Sequence, residues 1–374
     1  MDMIYFDSAA TARPFDCALT AAAEAYSVYG NPSSVHSAGI KAKAIIENSR
    51  KSIATALYCK PEEIIFTGGG SESNNQAIFG LAKLRARRSK RIITTDSEHP
   101  SVARPIEALE KDGFEIVRIA TKGGELDIDS LQKELENGAA FVSIMLANNE
   151  TGAKYDIAAV RRAIDRSGSG AIFHCDAVQG FLKTADIREI AKNCDLASIS
   201  AHKVGGLKGV GALYCKGGIK LPAFILGGGQ ENGLRSGTEN VGGIAAFGVA
   251  CGEFTKHREH ISSLYNKAVG LLSEESGLIT LNIPKTHIDS ILSVSVKGVR
   301  SEVMLNALNL HNICISAGSA CSARKGPSGA LSAYGLSKEE IEGTVRISFG
   351  AYNTVEEVCQ LAEKLITTAK RLKR

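Results

Sequence analysis

The sequence predicts an α/β protein: a large domain built on a mostly parallel, seven-stranded sheet, followed by a smaller α+β domain. Two observations carry this. Short apolar runs alternate with helix-spaced stretches through the first two-thirds of the chain, the rhythm of β-α units on a parallel sheet. The runs are nearly continuous in apolar residues rather than alternating, as strands buried on both faces are.

The candidate strands of the first domain are 63–67 (EIIFT), 91–95 (RIITT), 115–119 (EIVRI), 141–146 (FVSIML), 171–176 (AIFHCD), 196–200 (LASIS) and 211–215 (GALYC). Helical spacing fills 42–57, 101–111 and 156–167 between them. Past about residue 245 the rhythm changes. A helical stretch over 244–276 is followed by separated strands at 291–296, 313–318 and 344–349, then a final helix from Thr354. The N-terminal segment precedes the first β-α unit and is assigned to the second domain. The expected division is 16–245 for the large domain, with 1–15 and 246–374 for the small one.

Composition bounds the function. A chain of 374 residues suits two domains, and its 44% hydrophobic and 22% charged content is ordinary for a globular protein. A net charge of +4 gives no ground for a direct nucleic-acid partner. The basic run 83–91 (KLRARRSKR) and the tail KRLKR are read as solvated helix ends. Nine cysteines, an odd number with no C-x-x-C pair, fit neither a disulfide framework nor a zinc ribbon. No metal site is expected, and a reducing compartment is. The start MDMIYFDSAAT has no charged n-region or apolar h-region of a signal peptide. No apolar run reaches the roughly 18 residues of a membrane span. The expected location is the cytoplasm, away from any membrane.

Four segments carry candidate chemistry. In IIFTGGGSESNN (64–75) a strand feeds three glycines and then a helix, an arrangement that admits a phosphate or makes an ordinary turn. In FHCDAVQG (173–180), Asp176 ends a strand, where open α/β sheets place ligands; capping a helix is its other reading. In DLASISAHKVGGLKGVGALYC (195–215), Lys203 follows a strand among glycines, and a lysine there is either a surface residue or a former of Schiff bases. Together these are the three handles that pyridoxal 5'-phosphate (PLP) requires: a carboxylate for the ring nitrogen, an amine for the aldehyde and an anion site for the phosphate. In ISAGSACSARKGPSG (315–329), Cys321 lies among small residues with Arg324 and Lys325 nearby. That setting favours a reactive thiolate over a buried structural cysteine.

The chain resembles the cysteine desulfurases that supply sulfur for iron–sulfur clusters and thio-cofactors, within the class V aminotransferase superfamily. Ten segments match in order: YFDSAAT (5–11), GNPSSVHSAG (30–39), FTGGGSESNN (66–75), SEHPSV (97–102), NNETG (148–152), HCDAVQG (174–180), SISAHKVGG (198–206), GGGQENGLRSGTENV (227–241), SAGSAC (316–321) and VRISFG (345–350). The resemblance implies the PLP-dependent transferase fold type I. It implies that Lys203 carries PLP, that Asp176 pairs with the pyridinium nitrogen, and that Gln179 and Asn149 bond the phenolic side. His99 would stack on the ring and help move protons. Gly70, Ser71, Ser200 and His202 would bind the phosphate. Thr238 would reach the phosphate of a neighbouring subunit, which implies a homodimer with shared sites. Arg346, assisted by Asn31, would clamp the substrate carboxylate.

The implied reaction converts L-cysteine to alanine. Lys203 removes the α-proton, the Cys321 thiolate takes the sulfur as a persulfide, and a sulfur-acceptor protein receives it for iron–sulfur clusters, thio-cofactors or tRNA thiolation. Leu207 stands where the family usually has proline, which alters one turn. The nearest rivals are a selenocysteine lyase and a small-substrate aminotransferase of the same fold; the latter needs no thiol. A sulfur-carrier scaffold without catalysis is a third reading, disfavoured by the joint presence of Lys203, Asp176 and His99.

Overall fold

The computed structural model describes residues 3–184, 188–318 and 328–372. Strand β1 (Ile4–Tyr5) opens the chain. Seven strands follow: β2 (Ile64–Thr67), β3 (Arg91–Thr95), β4 (Glu115–Ile119), β5 (Phe141–Ser143), β6 (Ile172–Asp176), β7 (Leu196–Ser200) and β8 (Gly211–Cys215). They form one sheet in the order β2-β8-β7-β6-β5-β3-β4. The pairs β4-β3, β3-β5, β5-β6 and β6-β7 are parallel, and β8 runs antiparallel to both of its neighbours. The mostly parallel seven-stranded sheet read from the sequence is therefore the one observed. Its central strands β5, β6, β7 and β8 are almost wholly buried because helices cover both faces, which explains their continuous apolar runs.

Polar residues in this core include cross-strand ties. His174 on β6 bridges Ser143 Oγ of β5 at 2.9 Å and Ser198 Oγ of β7 at 3.0 Å. Burial pushes its pKa down to about 3, so the ring stays neutral and serves as a cross-strand tie.

The later strands are β9 (Ile279–Asn282), β10 (Ile291–Val296), β11 (Ile313–Cys314), β12 (Ser316–Ala317) and β13 (Thr344–Ser348). An antiparallel sheet takes the order β12-β13-β10-β9, and β1 pairs in parallel with β11. The N-terminal segment thus lies with the late strands. Asp7 also bridges to Ser348, and the Ser348 amide donates to Phe6 O at 2.8 Å.

Several element boundaries move by a residue or a few, and three differences from the sequence reading are larger. The run 313–318 is not one strand: β11 and β12 serve different sheets, with Ile315 between them. The run 141–146 keeps its bonds to β6 on one side, but Met145 N–H turns to the Glu98 carboxylate at 2.9 Å, so β5 ends at Ser143. The stretch 244–276 is two helices, Val241–Phe254 and Arg258–Ser273, joined by a 3-10 turn. Residue 245, the expected domain boundary, falls inside the first of them. Among the described residues no helix is long and apolar enough to cross a membrane.

Candidate active site

The C-terminal ends of β6 and β7 deliver Asp176 and, one turn beyond Ser200, Lys203. Asp176 Oδ1 accepts Val178 N–H at 3.0 Å, and Oδ2 accepts Asn74 Nδ2 at 2.8 Å. Asn74 also donates to Ser101 Oγ at 2.8 Å, and that hydroxyl lies 2.7 Å from His99 Nδ1. His99 caps the helix Pro100–Lys111, its Nδ1 accepting the Ser101 amide at 3.1 Å. A nitrogen that accepts a backbone N–H carries no proton, so the neutral ring holds its proton on Nε2. Burial lowers the His99 pKa, the Asp176 charge pulls it up and the Lys203 charge pulls it down. His99 is thus within electrostatic reach of the other two sequence-predicted residues, Asp176 and Lys203.

The N-terminal segment forms the floor beside Lys203. Lys203 Nζ donates to Ala9 O at 2.7 Å and Ala10 O at 2.8 Å. Gln179 Nε2 donates to the same Ala9 O at 2.8 Å, while Gln179 Oε1 accepts Lys183 Nζ at 2.8 Å. Lys183 is half-buried, and desolvation with the charges of Lys203 and Arg346 brings its pKa down to about 7. His202 Nδ1 lies 3.2 Å from Thr11 Oγ1, and burial with three nearby lysines pushes it down to about 4.

A glycine-opened helix start lies next to this group. Strand β2 leads through Gly68 and Gly69 into the 16-residue helix Gly70–Arg85. Gly69 has φ +149°, a conformation open to glycine, and a Cβ on Gly70 would come within 2.6 Å of Val178 Cγ2. The free amides at this helix start attract a phosphate. Ser71 is exposed at its first turn and Ser200 is buried behind it. Glu72 accepts Gly68 N–H at 2.9 Å and pairs with Arg235 at 2.8 Å, which ties the helix start to the loop bearing Thr238. Thr238 itself is exposed.

Arg346 on β13 reaches the site from the antiparallel sheet. Its NH2 donates to Asp7 Oδ1 at 2.9 Å and its NH1 to Asn149 O at 2.8 Å. Asp7 Oδ1 also accepts Ser316 Oγ at 2.8 Å. The Asn149 backbone, not its side chain, makes this contact. Asn31 Oδ1 is taken by the Ser33 amide at 2.9 Å within its own exposed loop. Cys321 lies outside the described residues.

The residues suit PLP. They supply a carboxylate on one strand end, an amine after the next and a glycine-opened helix start packed against Val178 and Ser200. Asn74, Ser101, Lys183 and Asp7 were not singled out from the sequence, yet they connect the named residues. Asn74 follows Gly70 by four positions, the spacing of one helix face, which is the signal that marks it.

A family model described as aminotransferase class-V matches residues 4–361. Cysteine desulfurase IscS 1 of Archaeoglobus fulgidus is 36% identical over 99% of this chain and 98% of its own length. Putative cysteine desulfurase IscS 1 of Bacillus subtilis is 34% identical over the whole of both chains. Among solved structures, a NifS-like protein superposes with a TM-score of 0.91 at 33% identity, covering 99% of this chain and all of that one. A structure titled SspA in complex with cysteine superposes with a TM-score of 0.82 at 31% identity, covering 94% of this chain and all of that one.

Proposed function

The chain belongs to the class-V aminotransferase family and is a cysteine desulfurase; we propose that Lys203 and Cys321 carry its chemistry on bound PLP. The observation that carries this reading is the meeting of Lys203, Asp176 and His99 at the strand ends, where open α/β sheets place ligands. Lys203 would hold the aldehyde, Asp176 the ring nitrogen, Gln179 and Asn149 the phenolic side, and His99 the ring face. Gly70, Ser71, Ser200 and His202 would hold the phosphate, with Thr238 contributed by a second subunit. When bound, PLP supplies an electron sink next to the substrate α-carbon.

The chain's own groups do the rest. Arg346, with Asn31, binds the carboxylate of L-cysteine and fixes its orientation. Lys203 Nζ, once neutral, accepts the α-proton. His99 presents Nε2–H, while Nδ1 is held by Ser101. The Cys321 thiolate attacks the substrate sulfur. An S–S bond forms and the Cβ–S bond breaks; a proton added at Cβ, equivalent to the one lost by the substrate thiol, and the α-proton returned from Lys203 to Cα complete alanine. The persulfide sulfur then passes to an acceptor protein that serves iron–sulfur clusters, thio-cofactors or tRNA thiolation. The large domain is placed at 16–245 and the small one at 1–15 and 246–374. Sheet membership supports this, since β2 to β8 fall in the first and the remaining strands in the second. The same reading places the enzyme in the cytoplasm as a homodimer. Exposed Tyr29, Val35 and Leu226 supply apolar surface for a second copy.

Sulfide release from L-cysteine with excess dithiol tests the assignment, using PLP-loaded wild type and Cys321→Ala. Release by the wild type alone supports it. No release by either protein, with the bound-cofactor absorbance present, overturns it.

A further inference from the structure

We propose that Asp7 is an internal counter-carboxylate: it occupies Arg346 between turnovers and sets how tightly the enzyme holds any ligand carrying a carboxylate. This rests on Arg346 being the substrate clamp. Both outer nitrogens of Arg346 are already engaged, NH2 by Asp7 Oδ1 at 2.9 Å and NH1 by Asn149 O at 2.8 Å. The Arg346–Asp7 pair is the only ion pair that Arg346 makes among the described residues. The side chains are largely buried, at 9% and 19% exposure, so water screens their attraction less than at an open surface. A substrate carboxylate arriving at this guanidinium meets a negative charge already in place.

The physical consequence has a definite sign. A clamp that is occupied by its own chain binds a ligand with an affinity reduced by the fraction of time the clamp is free. The penalty falls on the substrate L-cysteine and on the product L-alanine alike, because both carry the same carboxylate. Asp7 therefore weakens both, which favours product release at the expense of substrate affinity. Cysteamine, which lacks the carboxylate, has no such competitor. Ser316 moderates the device. Its hydroxyl donates to the same Asp7 Oδ1 at 2.8 Å and shares the charge that Arg346 feels.

The test uses PLP-loaded enzyme. Turnover of L-cysteine gives KM and kcat. The change in cofactor absorbance, recorded in a Cys321→Ala background, gives affinities for L-cysteine, L-alanine and cysteamine without turnover. Asp7→Asn keeps the shape and removes the charge. It is expected to lower KM and to tighten L-cysteine and L-alanine by the same factor, about fivefold or more, while cysteamine is unmoved. Ser316→Ala removes one hydrogen bond from Asp7, leaves more charge on Arg346, and is expected to weaken both amino acids. It reads the same device if Asp7→Asn does not fold. Unchanged or weaker amino-acid binding in Asp7→Asn overturns the proposal, provided Arg346→Lys weakens L-cysteine. If Arg346→Lys leaves L-cysteine affinity where it was, the clamp assignment itself fails and this inference falls with it.

Discussion

Arg50 holds the loop 227–241 to the sheet. Its NH1 and NH2 each lie 2.8 Å from the Glu231 carboxylate, NH1 also reaches Ile64 O at 2.7 Å, and Glu231 accepts Phe66 N–H at 2.9 Å. Both partners are buried, so removal of either strands a charge away from water. Arg50→Met is expected to cost about 3–5 kcal/mol of unfolding free energy, measured by denaturant titration. Residues of this kind are poorly legible in a sequence. Arg50 and Glu231 are far apart along the chain, and each alone reads as a surface charge. Asp176 and Lys203 were legible because one ends a strand and the other follows one, each within a matching segment, and His99 because it lies in the matching segment SEHPSV. Asn74, Ser101 and Lys183 were not, because their meaning is the partner each one meets. Asn74 finds Asp176 across 102 positions, and no local pattern encodes that pairing.

At the scale of elements, apolar runs bounded by turns translated well. Strands β3, β4, β7, β8 and β10 span the residues their sequence runs marked. Strand β9 escaped because it is the edge of its sheet and only partly buried, with two of four residues intermediate. The division of 313–318 escaped because its residues form one apolar stretch, while the sheets they join are set by β1 and β13 far away in sequence. The glycine turn at the start of the helix Gly70–Arg85 is sensitive to a single atom. Gly70→Ala would press its Cβ into Val178, only 2.6 Å away, and push the helix start out of line. The expected result is weaker retention of PLP, read as lost visible absorbance after gel filtration, with the far-ultraviolet spectrum kept.

For the whole molecule, the mostly parallel sheet was legible from rhythm alone, since burial on both faces dictates continuous apolar runs, and the change of rhythm marked a second α+β part without giving its strand directions. The oligomeric state was not legible, and the exposed apolar residues now give it a test. Leu226, 84% exposed, lies in the segment just before the loop that carries Thr238. If the chain is the homodimer proposed above, Leu226→Asp is expected to shift a two-chain species to single chains in sedimentation and, with Thr238 withdrawn from the neighbouring site, to weaken PLP binding. The chain also closes on itself. Ala9 N–H donates to Ser348 Oγ across 339 positions, and Asp7 reaches Arg346 across the same span. Synthesis therefore delivers Ala9, the acceptor for Lys203, at the outset and Arg346 nearly last. A nascent chain released up to β8 contains the amine, the carboxylate and the anion site, but its first residues have no strand to rest against. If Arg346 is the clamp proposed above, the contact with the carboxylate of cysteine, and the floor that Ala9 forms under Lys203, are assembled only when nearly the whole polypeptide has been made.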